Sequence, residues 1–297
     1  MRPIGFLLDG IEFPCWRHTM FKRIAVHIDK DPACAGRLAT ALALAKTHEA
    51  QIVGIYVQDP PFNYGYDEVV VSAAVLEVQR TQMAEERQKC TEYFCQRVAL
   101  TGQSKSWVAV QGALEDELAL HSRCSDILIM SQADPQTHRS SVQGYQLESV
   151  ILTAGRPVLT IPFATELTQP VDKVLLCWDQ GRESARAIAD AAPFLELAKE
   201  IVVLTVDKRV VPEGEARKTM SGLDDYLRAH GYAPAKAVSA SSKESGIGNA
   251  ILNTAADFGS NLIVMGLYGH SRAREWVLGG ASREMMSDMT IPVLFSH

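Results

Sequence analysis

The chain has 297 residues, long enough for two domains of ordinary size. Apolar residues make up 47% and charged residues 22%, which excludes wholesale disorder and leaves material for a core in each half. A net charge of −6 without a long basic run argues against nucleic acid or an anionic membrane as the main partner, and no apolar run approaches the ~18 residues of a membrane span.

Residues 1–19 carry Arg2 and a short apolar stretch that Asp9 interrupts before a signal-peptide core is complete. They are expected to be a disordered extension or to precede the true start, because Met20 leads straight into a strand. Residues 23–28 (RIAVHI) form a short apolar run rich in β-branched side chains that ends at Asp29, a buried-strand pattern. Leu38, Leu42 and Ala45 follow at the spacing of one helix face. Residues 51–57 (QIVGIYV) predict a second strand, 58–72 a loop, and Ala73 the start of a long helix with Leu76, Met83, Cys90, Phe94 and Val98 on its core side. Residues 126–130 (DILIM) and 156–161 (RPVLTI) predict further strands, and 163–171 (FATELTQPV) a polar, proline-containing linker.

The same order then recurs. Residues 173–178 (KVLLCW) end at Asp179, and Ile188, Ala192 and Leu195 supply one helix stripe. Strands follow at 200–206 (EIVVLTV), 261–265 (NLIVM) and 291–296 (IPVLFS). A constant spacing of 135 residues separates Met130 from Met265, Gly144 from Gly279 and Pro157 from Pro292. Val57 and Met130 lie 73 residues apart and Val206 and Met265 only 59, so the extra residues fall in the first half, in its 58–72 loop and long helix. Strands alternating with helices imply a mainly parallel sheet covered on both faces. The fold class is therefore α/β: two tandem, doubly wound, five-stranded domains of Rossmann-like character, over 20–162 and 172–297, packed as a pseudo-dimer.

Open parallel sheets bind ligands beyond the carboxyl ends of their strands, where strand order reverses. In the second half the loop after the fourth strand opens with Gly266 and Gly269 and closes with Gly279 and Gly280 at the start of a helix. Glycines let the main chain approach a ligand, and a helix N-terminus offers free N–H groups to phosphate oxygens. Arg272 and Arg274 add cationic charge; a plain surface loop is the alternative. The loop is neither a P-loop nor a dinucleotide fingerprint. Asp179, at the carboxyl end of a strand, suits ribose hydroxyls or an N-cap for the helix starting near Arg182, and the two roles are compatible.

Gly266, Gly269, nine residues and Gly279 match the G-x-x-G-x9-G motif of the universal stress protein family, which the chain resembles from Phe21 to His297 in its tandem form. The resemblance implies ATP, with Mg2+, as ligand, Asp179 on the ribose, Val206 near the adenine, and Met265, Gly266, Gly269, Gly279, Gly280 and Ala281 lining the nucleotide. Gly280 departs from the family's Ser or Thr, which removes a hydroxyl donor to phosphate worth about 1.5–3 kcal/mol. Ser282 is a partial substitute. The first half departs further, with Ser131 for Gly266, Asp134 for Gly269 and Tyr145 for Gly280; only Gly144 and Asp29 remain. These side chains are expected to fill the space the backbone needs, so the first half is not expected to bind ATP.

Other residues carry less. His27 is expected to be a buried, hydrogen-bonded core histidine, His270 an exposed loop residue, and Trp276 apolar packing for its loop. No histidine pair has zinc-ligand spacing, and no nucleophile–base–acid set can be assembled. Six cysteines without a CxxC pair read as reduced, mostly buried thiols of a cytosolic protein. The function expected is that of a cytoplasmic stress-response protein binding ATP in its C-terminal domain as a regulatory or structural ligand, with slow hydrolysis at most. Its partners would be the adenine nucleotide and either other proteins or a second copy. The alternative is a nucleotide-free scaffold acting through protein contacts or an apolar ligand. An enzyme of the wider nucleotide-binding α/β group ranks below both, since HxGH, KMSKS and SGGxDS signatures are all missing from the sequence.

Overall fold

In the computed structural model, residues 7–8, 11–12, 20–59, 73–133, 144–207, 222–243, 245–267 and 280–297 are described. Near the N-terminus, β1 (Leu7–Leu8) pairs antiparallel with β2 (Ile11–Glu12), and the other residues of 1–19 lie outside the described set. The first half then runs β3 (Arg23–His27), α1 (Cys34–His48), β4 (Gln51–Gln58), α2 (Ala73–Ala99), β5 (Lys105–Gln111), α3 (Leu114–Ser122), β6 (Ile127–Ser131), α4 (Gly144–Thr153) and β7 (Val158–Ile161). The second half runs β8 (Lys173–Cys177), α5 (Arg182–Asp190), α6 (Ala192–Leu195), β9 (Glu200–Val206), α7 (222–229), β10 (Ala235–Ala240), α8 (Ile247–Asp257), β11 (Leu262–Gly266), α9 (Gly280–Asp288) and β12 (Val293–Ser296).

The strands form one ten-stranded sheet in the order β10-β9-β8-β11-β12-β7-β6-β3-β4-β5. Within each half every pairing is parallel, and the order reverses between β3 and β6 and between β8 and β11. The central strands are apolar on both faces because helices cover both. Ile24, Val26, Val174 and Leu176 face one apolar cluster with residues of α1, α2, α5, α6 and α7. Ala25, Leu128, Leu175 and Ile263 face the other, with residues of α3, α4, α8 and α9.

The halves join where β7 meets β12 antiparallel, Val293 opposite Thr160, Leu294 opposite Leu159 and Phe295 opposite Val158. Leu159 and Leu294 are themselves 135 positions apart, so the pseudo-twofold axis of the repeat passes through this one pair. Phe21 and Phe194 add a cross-half contact, edge to face at 5.3 Å.

Four expectations change. The stripe Ile188, Ala192, Leu195 is buried but belongs to two helices: Pro193 has no N–H for an intrahelical bond, so α5 ends and α6 begins around it. In α2, Cys90, Phe94 and Val98 are buried, while Leu76 and Met83 are only half-buried. The linker read as polar is docked through apolar residues, with Leu167 and Val171 buried and the Leu167 N–H donating to Thr40 Oγ1 at 2.9 Å. The five described cysteines are free thiols, but only Cys34 and Cys90 are buried; Cys124 follows α3 in an exposed turn.

Leu294→Ala and Leu159→Ala are each expected to lower the unfolding free energy by about 2–5 kcal/mol, the cost of a cavity at a fully buried leucine. Because the two side chains are directly opposite, urea denaturation of the double variant should show a loss smaller than the sum of the single losses.

Candidate functional site

At the switch point of the second half, β8 ends at Cys177 and the chain turns through exposed Asp179. The Gly181 N–H donates to Asp179 Oδ1 at 2.8 Å, a turn completed by Gln180 in the left-handed region at φ +67°. The N-cap of α5 is Gly181 itself, so Asp179 is not the cap that the sequence allowed; its carboxylate braces the turn in front of the helix. Val206 ends β9 on one side of β8, and Met265 and Gly266 end β11 on the other. Cys177, Val206 and Met265 share the apolar face that α8 and α9 cover. Burial, then the charge of Asp179, pushes the Cys177 thiol up to about 12, which keeps it protonated and inert.

Gly266 has a packing reason to be glycine. A Cβ there would lie 2.5 Å from Glu183 C and 2.6 Å from Ser184 N, inside the first turn of α5. The close approach of β11 to α5 therefore forbids a side chain, whatever binds above. Gly280 and Ala281 form the start of α9, the helix that follows β11. Gly269 and Gly279 lie outside the described residues, as do His270, Arg272, Arg274 and Trp276. The structure thus brings Asp179, Val206, Met265 and Gly266 together at the carboxyl ends of three adjacent strands.

Two carboxylates here escaped the sequence reading. Asp207, directly after Val206, accepts hydrogen bonds from the Ser242 N–H at 2.8 Å and from its hydroxyl, and these hold its carboxyl below the usual range. It ties the loop after β9 to the loop after β10. Glu183 is buried beside Gly266; burial opposes its charge, but the Arg182 guanidinium overrides that and keeps its carboxyl below the usual range. Neither stands in a recognisable motif, and loop-end acids are common enough to give no signal. Among the described residues, no group of three or more His, Cys, Asp or Glu gathers as a metal site.

The matching place in the first half is closed in a different way from that expected. Asp29, the counterpart of Asp179, is buried and paired with the guanidinium of fully buried Arg37, which also donates through Nε to the His27 carbonyl at 3.0 Å. Asp29 raises the pKa of Arg37 against the opposing effect of burial. Burial of both partners shuts the Asp29 carboxylate off from a ribose. Tyr145 fills nothing, being 64% exposed, whereas Ser131 is buried in β6; Asp134 lies outside the described residues. The sequence carried a sign of this: Arg37 sits beside Leu38 on the core face of α1, where the repeat places Ala187. Lys30 and Glu86 then bridge the Asp29 loop to α2 at 2.6 Å. A groove of about 710 Å³ in this half lies between α2 and the ends of β4 and β5, lined by Gln58, Arg80, Arg87 and Gln111 among others, and Asp29 does not line it.

The model of the universal stress protein family matches residues 20–162 and again 170–297. A universal stress protein from Archaeoglobus fulgidus DSM 4304 superposes with a TM-score of 0.69 at 15% identity, over 92% of this chain and 95% of its own. A protein of unknown function from Pseudomonas aeruginosa PAO1 superposes at 0.56 with 13% identity, over 93% and 92% of the two chains. At these identities the likeness is one of fold. No curated protein matches the chain. No described helix is long and apolar enough to cross a membrane.

His27 gives this half a pH dependence. It is buried as expected, and its Nδ1 has no hydrogen-bond partner among the described residues and stands 3.5 Å from Asp29 Oδ2. Burial lowers its pKa to about 4, with Arg37 adding to the effect and Asp29 opposing it. The unfolded chain takes up this proton near pH 6.5 and the folded chain only near 4. Stability is therefore full above about pH 6.5 and falls as pH drops between those values, by about 3 kcal/mol. His27→Cys, which copies Cys177 of the other half, should flatten this acid limb when denaturation is followed between pH 7 and 4.

Proposed function

The chain belongs to the universal stress protein family, and from that premise and the surroundings of Asp179 we propose that its C-terminal half binds ATP as a regulatory or structural ligand. The observation that supports this most is the convergence of four expected contact residues at one switch point. Asp179 offers carboxylate oxygens to ribose hydroxyls. Val206 and Met265 provide apolar ends of the strands on either side of β8 for the adenine. The α9 N-terminus, at Gly280 and Ala281, supplies main-chain N–H groups for phosphate, together with Gly266, Gly269 and Gly279 along the loop. Mg2+ would arrive on the triphosphate, which supplies its oxygen ligands. Hydrolysis is slow at most in this reading, and the protein works by holding the nucleotide in the cytoplasm and presenting the loaded state to protein partners or a second copy.

The Arg37–Asp29 pair favours a division of labour in which the N-terminal half is a nucleotide-free scaffold. That gives the competing scaffold reading its place, as a description of one half.

Calorimetric titration tests the site. Asp179→Ala is expected to weaken ATP binding about tenfold or more, the worth of one or two hydrogen bonds to a charged acceptor. Gly280→Ser restores the hydroxyl donor and is expected to tighten binding about tenfold. Gly266 is unsuitable for such a test, because any side chain there collides with α5. Unchanged affinity in the Asp179 variant would exclude the site assignment.

A further inference from the structure

The N-terminal half reaches α9 directly. Gln132, the residue after β6, is 4% exposed. Its Nε2 donates to the Ser287 carbonyl at 2.5 Å, near the C-terminal end of α9. Its Oε1 accepts from the Phe163 N–H at 3.4 Å, at the start of the linker. The side-chain amide therefore joins a strand end of one half, the linker, and a helix of the other half.

This contact is absent from the pseudo-symmetric position. Main-chain geometry is the same on both sides: the Gln132 N–H donates to the Ile161 carbonyl and the Leu267 N–H to the Ser296 carbonyl, both at 2.8 Å. The repeat spacing of 135 makes Leu267 the counterpart of Gln132 and Leu152 the counterpart of Ser287. Both leucines belong to the apolar cluster on that face. The repeat thus places an amide-to-carbonyl bond on one side and apolar side chains on the other. Within its own half α9 has a second fixed point: Glu284 Oε2 accepts the Gly248 N–H at 2.9 Å, with the start of α8 so close that a Cβ on Gly248 would lie 2.6 Å from Glu284 Cβ.

We propose that Gln132 is a positioning residue for α9, through which the N-terminal half regulates the nucleotide site at the other end of that helix. The regulatory part rests on the reading of the C-terminal half as an ATP site. Coupling between the two is reciprocal by linkage: an α9 held by Gln132 binds phosphate better, and bound phosphate tightens the contact between the halves.

Gln132→Met keeps the length of the side chain and removes the donor. In the nucleotide-free variant, amide exchange over 284–289 is expected to speed up about three- to tenfold, the worth of one hydrogen bond, with 24–27 in β3 unchanged. ATP affinity should fall by a similar factor, and the slowing of exchange in β7 that ATP is expected to produce in the wild type should vanish. Gln132→Leu, which copies Leu267, should behave in the same way. Unchanged exchange in α9 overturns the positioning role. A loosened α9 with unaltered ATP affinity overturns the regulatory role. A wild-type protein that binds no ATP at all removes the nucleotide reading instead, and α9 exchange still decides whether Gln132 holds the helix.

Discussion

The antiparallel pairing of β7 with β12 is the constraint from which the rest of the molecule takes its form. Each half alone would end its sheet on a strand that is apolar on both faces and unpaired along one edge, which invites association. Joining the two edges satisfies both sets of main-chain groups and buries Leu159 against Leu294 at the axis of the repeat. The switch points stand two strands away from this seam on either side, so both halves present their carboxyl edges from one shared, rigid sheet.

Duplication then allowed the two edges to diverge. In one, a carboxylate after the first strand remains exposed in a turn, near glycine-lined main chain. In the other, the equivalent carboxylate is consumed by a buried arginine. A buried pair of this kind costs desolvation that its Coulomb attraction offsets only with good geometry, and Arg37 adds a hydrogen bond to the His27 carbonyl. Removing the arginine would leave the buried Asp29 carboxyl without its guanidinium partner, so the closed arrangement is self-reinforcing. The half with Ser131 and Asp134 in place of the two motif glycines supplies the linker dock at Thr40 and the amide contact of Gln132.

Much of this was legible in the chain itself. The two runs ending at Asp29 and Asp179, and the constant spacing through the last two strands of each half, were enough to read tandem α/β halves, because buried parallel strands demand continuous apolar runs. Asp179, Val206, Met265 and Gly266 were legible as neighbours only through the motif spacing and the rule for open sheets. Less was readable where the local pattern is ambiguous. Pro193 split a helix whose apolar stripe looked continuous, and the first part of the α2 stripe, Leu76 and Met83, is only half-buried. The linker looked polar, yet two of its apolar residues, Leu167 and Val171, decided its fate by burying against the core.

Sequence by itself therefore determined the order of strands and helices, the duplication, and which half kept the glycines, since these follow from periodicity and residue type along the chain. Tertiary structure alone decided that β7 and β12 fuse the halves edge to edge, that Arg37 closes on Asp29, that Gly266 is needed for helix packing, and that Gln132 reaches Ser287. The physical reason is distance along the chain for three of these, while Arg37 reaches Asp29, eight positions away, only because α1 packs back against β3. Each of these four contacts joins residues whose meeting depends on where the whole sheet places its edges and helices, and no local propensity encodes that.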